Sequence, residues 1–392
     1  MRSSRSGIRT GRATRTPSDA VTRRLLALPA LPEPLLEALA AALDGSGPAV
    51  LPLPEAPDAV LQAMRPEEPL ESGDIALVVP TSGSTGEPKG VLLSASALRA
   101  SAEATTARLG GHGQWLLAIP PTHIGGVQVL VRSLLASTDP AIMPDGPFTA
   151  QGFIDATGLL WSPRRFVSLV PTQLRRLLED EVHEAVDALR SYDAVLLGGA
   201  PAPRSLLAAA RDAGVRVVTT YGMSETSGGC VYDGVPLDRV RVTIEDGLIT
   251  LAGPVLASGY RLRPDLTARA FRGGVFTTSD LGTLEPDGVL RVLGRADDMI
   301  VTGGEKVPPA AVEAALEQHP AVLEAAVVGV ADQEWGERVV ACVVLHAPLT
   351  LDTAREHVAR TLPRAWAPRE LREVERIPLL PTGKIDRTAL RS

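Results

Sequence analysis

Thr81-Ser-Gly-Ser-Thr-Gly-Glu-Pro-Lys-Gly90 packs four hydroxyls, three glycines and one lysine into ten residues. An apolar run, Ile75 to Val79, precedes it, and another, Val91 to Leu93, follows it. The pattern predicts strand, loop, strand. Glycines let backbone N–H groups converge on an anion, as in a phosphate-binding nest. Ser82, Ser84 and Thr85 add hydroxyl donors and Lys89 adds a charge. The order differs from the common G-x-x-x-x-G-K-[ST] phosphate loop, and no helix is expected directly after it. A plain Ser/Gly/Pro turn is the bland alternative. So regular a string of donors ending in a lysine argues against it.

Outward from this loop, residues 75–294 alternate short β-type runs with amphipathic stretches. Trp115 to Ile119, Phe166 to Val170, Ala194 to Leu197 and Val215 to Thr219 read as strands. Val127 to Leu135, Thr172 to Glu179 and Ser205 to Ala213 read as helices, with Thr172 as the expected N-cap. Such alternation predicts an α/β layered domain. Val240 to Tyr260 and Gly274 to Val292 read as Gly-punctuated short strands of a small β subdomain. A break is expected near Gly294 to Asp298. Beyond it, a helix after Pro308-Pro309, strands Val322 to Val330 and Val339 to Leu345, and a helix Leu351 to Leu362 predict a small α+β unit. The expected division is 1–24 tail, 25–294 large α/β domain and 295–392 small α+β domain.

Composition narrows the function classes. A chain that is 45% hydrophobic and 22% charged is an ordinary globular one. A net charge of −7 argues against nucleic acid or an anionic membrane as the main partner. No run of ~18 apolar residues predicts a membrane span. Two cysteines, Cys230 and Cys342, lie in no metal spacing and fit a reducing compartment, so a cytoplasmic location is expected. Aromatics are only 3%, so the core must be built from Ala, Leu and Val. The first two dozen residues carry seven arginines among Ser, Thr and Gly, with Asp19 as the one acid. No apolar h-region makes them a secretory signal; a disordered tail is preferred to an organellar transit peptide.

The loop at 81–90 resembles the phosphate loop of the adenylate-forming enzymes, which include acyl-CoA synthetases, peptide-synthetase adenylation domains and luciferases. Further segments resemble that family's motifs in its order. They are Leu197-Gly-Gly-Ala200, Tyr221-Gly-Met-Ser-Glu-Thr226, Thr278-Ser-Asp280, Gly294-Arg-Ala-Asp-Asp-Met-Ile300, Gly303-Gly-Glu305 and Pro381-Thr-Gly-Lys-Ile-Asp-Arg387. The resemblance spans roughly residues 70 to 390. It implies ATP, Mg²⁺ and CoA as substrates and cofactors, and a mobile C-terminal cap. The implied chemistry is attack of a carboxylate on the ATP α-phosphate with loss of pyrophosphate. Negative charge builds on the phosphates, so catalysis is mainly positioning and electrostatic stabilisation.

The resemblance also implies roles. Thr81, Ser82, Gly83, Ser84, Thr85, Gly86 and Lys89 would hold the β- and γ-phosphates. Gly198, Gly199 and Ala200 would let adenine approach the backbone, with Tyr221 and Gly222 beneath the ring. Ser224 would donate to the α-phosphate, where many relatives carry threonine. Glu225 would hold Mg²⁺, a hard cation that wants oxygen ligands. Asp280 and Arg295 would bind the ribose hydroxyls. Lys384 would bridge the α-phosphate and the attacking carboxylate. His123 would gate the acyl pocket, a structural histidine being the alternative. Gly303, Gly304 and Glu305 would line the CoA tunnel after the cap rotates about a hinge at Asp297.

Three segments suggest the acid. Pro121-Thr-His-Ile-Gly-Gly-Val-Gln-Val-Leu-Val-Arg-Ser133, Ser168-Leu-Val-Pro-Thr-Gln-Leu174 and Leu197-Gly-Gly-Ala-Pro-Ala-Pro203 resemble the family members that activate o-succinylbenzoate in menaquinone biosynthesis. This small-molecule acid has two carboxylates, so the pocket needs a cation or donors for the spectator one. Arg132 is the candidate cation, a solvent-facing helix position being its alternative, with Thr172 and Gln173 as hydrogen-bonders. Eight residues follow Lys384, so the thiol acceptor is expected in trans. Another acyl- or aryl-CoA ligase, an enzyme loading a carrier protein, and a non-catalytic nucleotide-binding relative stay open, as does homo-oligomerisation.

Overall fold

The structure, a computed structural model, describes residues 23–82, 88–180, 183–379 and 385–391. The Arg-rich start lies outside the described residues, apart from Arg23 and Arg24. Among the described residues, four sheets form.

In the first sheet, Leu25–Pro29, Ala49–Leu53 and Ile75–Ser82 run parallel. Helices Pro32–Asp44 and Asp58–Met64 make the crossovers. Pro88–Ser94 then returns antiparallel to Ile75–Ser82, and Gly259–Tyr260 closes the edge antiparallel to Pro88–Ser94. The two strands expected to flank the loop are therefore present. Ile75, Ala76, Leu77, Val78 and Val79 are all buried, which is why the run is continuously apolar rather than alternating.

The second sheet places the site. Its strands lie in the order Val235–Pro236, Gly228–Tyr232, Val217–Met223, Ala194–Leu197, Arg165–Leu169, Gln114–Leu117, Ala141–Ile142. The last five are mutually parallel, and Gly228–Tyr232 turns back antiparallel. From Gln114–Leu117 the chain goes first to one neighbour, Ala141–Ile142, then to the other, Arg165–Leu169. Such a reversal opens a crevice outside the carboxyl ends of the strands, the place where α/β sheets bind ligands. One core joins the two sheets through helices Pro32–Asp44, Ala95–Arg108 and Ile124–Ala136. Ser94 starts the second of these, its Oγ accepting from Ala97 N at 3.1 Å.

Two boundaries differ from the sequence reading. The helix expected from Thr172 is Pro171–Glu179, and its N-cap is Val170 rather than Thr172. Proline is well suited to the first helical position because its missing N–H has no partner there in any case. The strand expected over 215–219 is Val217–Met223, so Tyr221 and Gly222 belong to the sheet.

The third sheet is antiparallel and includes Leu248–Ala252, Val275–Leu284 and Leu290–Arg295. The fourth belongs to a C-terminal unit with its own apolar cores. There Val322–Asp332 and Gly336–Leu345 form a long hairpin, backed by helices Pro309–Leu316 and Leu351–Val358. Arg175 pairs with Glu324 across to this unit, and Arg204 N donates to Glu317 Oε2 at 3.5 Å.

Candidate active site

Four strand ends of the second sheet converge on one crevice. Gln114–Leu117 leads to His123, Arg165–Leu169 to Gln173, Ala194–Leu197 to Gly198–Ala200, and Val217–Met223 to Ser224 and Glu225. Segments up to a hundred residues apart thus meet because parallel strands all end on the same side.

The glycines are there for close packing. A Cβ on Gly198 would lie 2.2 Å from Thr220 Oγ1, and Gly199 takes a φ of +81°. A Cβ on Gly126 would lie 2.4 Å from Ile119 O, which explains the glycine three positions after His123. His123 is the N-cap residue of Ile124–Ala136; its carbonyl accepts from Gly126 N and Val127 N, and its ring caps nothing. The residue is exposed overall, yet desolvation of the ring lowers its pKa from the ordinary value.

Tyr221, Asp280 and Arg295 form a connected group. The Tyr221 hydroxyl donates to Asp280 Oδ2 at 2.7 Å. Burial first, then the adjacent Asp280 carboxylate, push that phenol well above its usual range. Asp280 and Arg295 are register partners on neighbouring strands, with Nη1 3.7 Å from Oδ1. Arg295 Nη2 also donates to Asp297 Oδ2 at 2.7 Å, in a short 3₁₀ turn over Ala296–Asp298.

Ser224 is buried and Glu225 follows it in the 3₁₀ turn Ser224–Thr226. The Tyr260 hydroxyl donates to Glu225 Oε1 at 2.9 Å. The sequence reading passed over Tyr260, because a Gly-Tyr pair in a short edge strand carries no chemical signature. No group of three or more His, Cys, Asp or Glu that could by itself hold a metal ion lies among the described residues. A single carboxylate suits Mg²⁺, which keeps several waters and takes its other ligands from substrate phosphates.

Of the phosphate loop, the described part is its stem. Thr81 faces Lys89 in register, and Thr81 Oγ1 donates to Lys89 O at 3.2 Å. Gly83, Ser84, Thr85 and Gly86 lie outside the described residues, as do the Ser82 side chain and Lys384. In the C-terminal unit, Gly303 and Gly304 form a two-residue hairpin turn, with φ of +57° and +84°. Glu305 follows it, and the Trp335 ring packs beneath Gly303.

Two candidate substrate residues look different in the fold. Gln173 spends both ends of its amide on backbone: Oε1 accepts from Val170 N at 3.0 Å and Nε2 donates to Ala118 O at 2.9 Å. Its part is to tie two strand ends together. Thr172 lies beside it in the first helical turn. Arg132 is not solvent-facing. It is 4% exposed, its Cζ sits 4.7 Å from the Trp115 ring centroid, and Nη2 reaches Thr105 Oγ1 at 3.4 Å. Its Nε has no partner, and no carboxylate pairs with it among the described residues. Burial lowers its pKa. Cys230 is also buried, its thiol pushed up to about 12 by desolvation, which marks it as inert.

Residues 17–261 match the family model of the AMP-binding enzymes, and residues 311–384 match that of the AMP-binding enzyme C-terminal domain. A probable 2-succinylbenzoate–CoA ligase of Mycobacterium tuberculosis is 51% identical over 365 residues, covering 91% of this chain and 94% of the relative. The 2-succinylbenzoate–CoA ligase of Geobacillus kaustophilus is 35% identical, covering 91% and 76%. Among solved structures, the o-succinylbenzoate CoA synthetase of Bacillus subtilis, in complex with its acyl-adenylate intermediate, aligns with a TM-score of 0.68. It is 28% identical over 94% of this chain and 83% of that one. The same enzyme in complex with ATP and magnesium aligns with a TM-score of 0.65, at 30% identity over 81% and 70%.

Proposed function

The chain belongs to the AMP-binding, adenylate-forming enzyme family, and from that premise we infer that it is an AMP-forming acid–thiol ligase acting on o-succinylbenzoate and CoA. The carrying observation is the relative at 51% identity along 91% of the chain, which includes every strand end that meets in the crevice. In the first half-reaction a carboxylate oxygen attacks the ATP α-phosphorus and pyrophosphate leaves. In the second, the CoA thiol attacks the acyl carbonyl and AMP leaves. The product serves menaquinone biosynthesis.

The residues divide the work as follows. The stem 81–89 carries the loop that binds the β- and γ-phosphates, with Lys89 at its exit. Tyr221 offers its ring to adenine; its bond to Asp280 fixes the ring plane and aims the carboxylate at the ribose, beside Arg295. Ser224 donates to the α-phosphate. Glu225 holds Mg²⁺, which when bound neutralises phosphate charge. Lys384 serves the first half-reaction only. Lys384→Ala should therefore cost 10²–10³ in adenylation, about 3–4 kcal/mol, and spare thioester formation from pre-made acyl-adenylate. Equal loss in both would contradict that role. Asp297 is the pivot on which the C-terminal unit changes half-reaction. Asp297→Pro should keep pyrophosphate–ATP exchange and lose CoA transfer; unchanged transfer would move the pivot elsewhere.

Arg132 is the cation for the spectator carboxylate. What supports it is a guanidinium packed on Trp115 and Thr105, well inside the helix Ile124–Ala136, without a carboxylate partner among the described residues. The deciding experiment is a panel of carboxylic acids assayed for AMP and pyrophosphate release with CoA present and absent. Turnover of o-succinylbenzoate with CoA is expected. ADP release, turnover confined to benzoate or fatty acids, or a requirement for a carrier protein would overturn the assignment.

A further inference from the structure

The segment from Ala257 to Arg261 touches both halves of the nucleotide site. Ala257 N donates to Glu225 O at 2.8 Å, and the Tyr260 hydroxyl donates to Glu225 Oε1 at 2.9 Å. Backbone and carboxylate of one residue are thus gripped by a single short stretch. The same stretch is hydrogen-bonded to the strand that leaves the phosphate loop. Gly259 pairs with Leu92 and Tyr260 with Val91; Ser258 N donates to Leu92 O at 2.8 Å and Arg261 N to Gly90 O at 2.7 Å.

Tyr260 and Arg261 are both held in place. Tyr260 is buried, its ring lies edge-on to Phe271 at 5.7 Å, and its backbone N donates to Thr267 Oγ1 at 2.9 Å. Arg261 is entirely buried and anchored to residues 64–71. A carboxylate in a three-residue turn has rotamers to choose from. One oxygen held by a rigid phenol leaves the other in a fixed direction. We propose that Tyr260 is the positioning residue that aims Glu225 at the divalent metal of bound ATP, in register with the strand Pro88–Ser94. This rests on the reading of Glu225 as the metal ligand.

Tyr260→Phe keeps the ring and removes only the O–H donor. The probe is Mn²⁺, titrated by electron paramagnetic resonance into protein saturated with α,β-methylene-ATP, so no turnover is needed. Tyr260→Phe should weaken Mn²⁺ binding roughly 10-fold or more, the usual scale for losing a hydrogen bond to a charged group. Metal-free binding of the analogue and the melting temperature should stay at wild type. Glu225→Gln should weaken Mn²⁺ binding at least as much, and adding Tyr260→Phe to it should change nothing further. Wild-type Mn²⁺ affinity in Tyr260→Phe, with Glu225→Gln impaired, would overturn the positioning role alone. Additive losses in the double variant, or an equal loss of metal-free analogue binding, would also overturn it. Wild-type affinity in Glu225→Gln would overturn the ligand assignment and the proposal with it.

Discussion

Among the described residues, two arginines are buried in the large α/β region, and the protein solvates them in opposite ways. Arg261 uses all its donors. Nε bonds Met64 O, Nη1 bonds Pro69 O and Glu71 Oε2, and Nη2 bonds Arg65 O and Glu68 O, at 2.6 to 3.1 Å. Arg132 has one long bond to a hydroxyl and an aromatic face. A guanidinium carries five N–H donors, so the first is satisfied and the second is held in reserve. Burying a charge without partners costs folding free energy. A chain keeps such a cost where function, not folding, sets the residue. Arg261 is therefore a fastener, and Arg132 the candidate binding group.

Removing the fastener should have the largest effect. Arg261→Met keeps most of the volume but strands four backbone carbonyls beside the base of the phosphate loop. Breaking a buried charged network typically costs about 3–5 kcal/mol. Denaturant unfolding should show that loss, with substrate affinities of the surviving folded fraction near wild type. A loss below about 1 kcal/mol would place Arg261 with the ordinary surface arginines and dissolve the contrast.

Arg132→Leu should give the reverse pattern. An apolar replacement for an uncompensated buried charge is often neutral or stabilising, so unfolding should move by less than about 1 kcal/mol. The acid should bind about 2–3 kcal/mol more weakly, roughly 30- to 150-fold in KM, while the KM for ATP stays put. An unchanged KM for o-succinylbenzoate, with stability lost, would make Arg132 a second fastener.

The sequence made the strand ends legible and left the joins dark. Glycine-rich and hydroxyl-rich segments after apolar runs, as at 81–90 and 197–200, announce themselves because special backbone conformations demand special residues. Parallel-strand topology then brings them together. What could not be read was which side chains meet across long separations. Arg261 and residues 64–71 are about 190 positions apart, and Tyr260 and Glu225 are 35 apart. Neither pair shares a spacing pattern. Gln173 shows what the fold adds: a polar residue beside a binding segment reads as a ligand contact, and the fold also ties its amide to Val170 and Ala118.

A half-buried charge, Glu317, carries the smallest expected effect and tests the same rule with the proton as ligand. Glu317 sits where the C-terminal unit meets Arg204. Desolvation, with neighbouring Glu313 adding to it, raises its pKa from the ordinary 4.5 to about 7, against the weaker pull of backbone N–H donors. A carboxyl that binds its proton more tightly folded than unfolded stabilises the fold most below pH 4.5. That contribution is lost as pH rises from 4.5 to about 7, and is flat above. The sign is opposite to that of a salt-bridged acid. Relative to wild type, Glu317→Gln should therefore gain stability at pH 7.5 and above, on the order of 1 kcal/mol, and lose that advantage near pH 5. Melting curves across this range check it. Parallel pH profiles for the two proteins would mean that Glu317, like Arg261, is fully compensated where it lies, and that Arg132 stands alone as the uncompensated charge among the three.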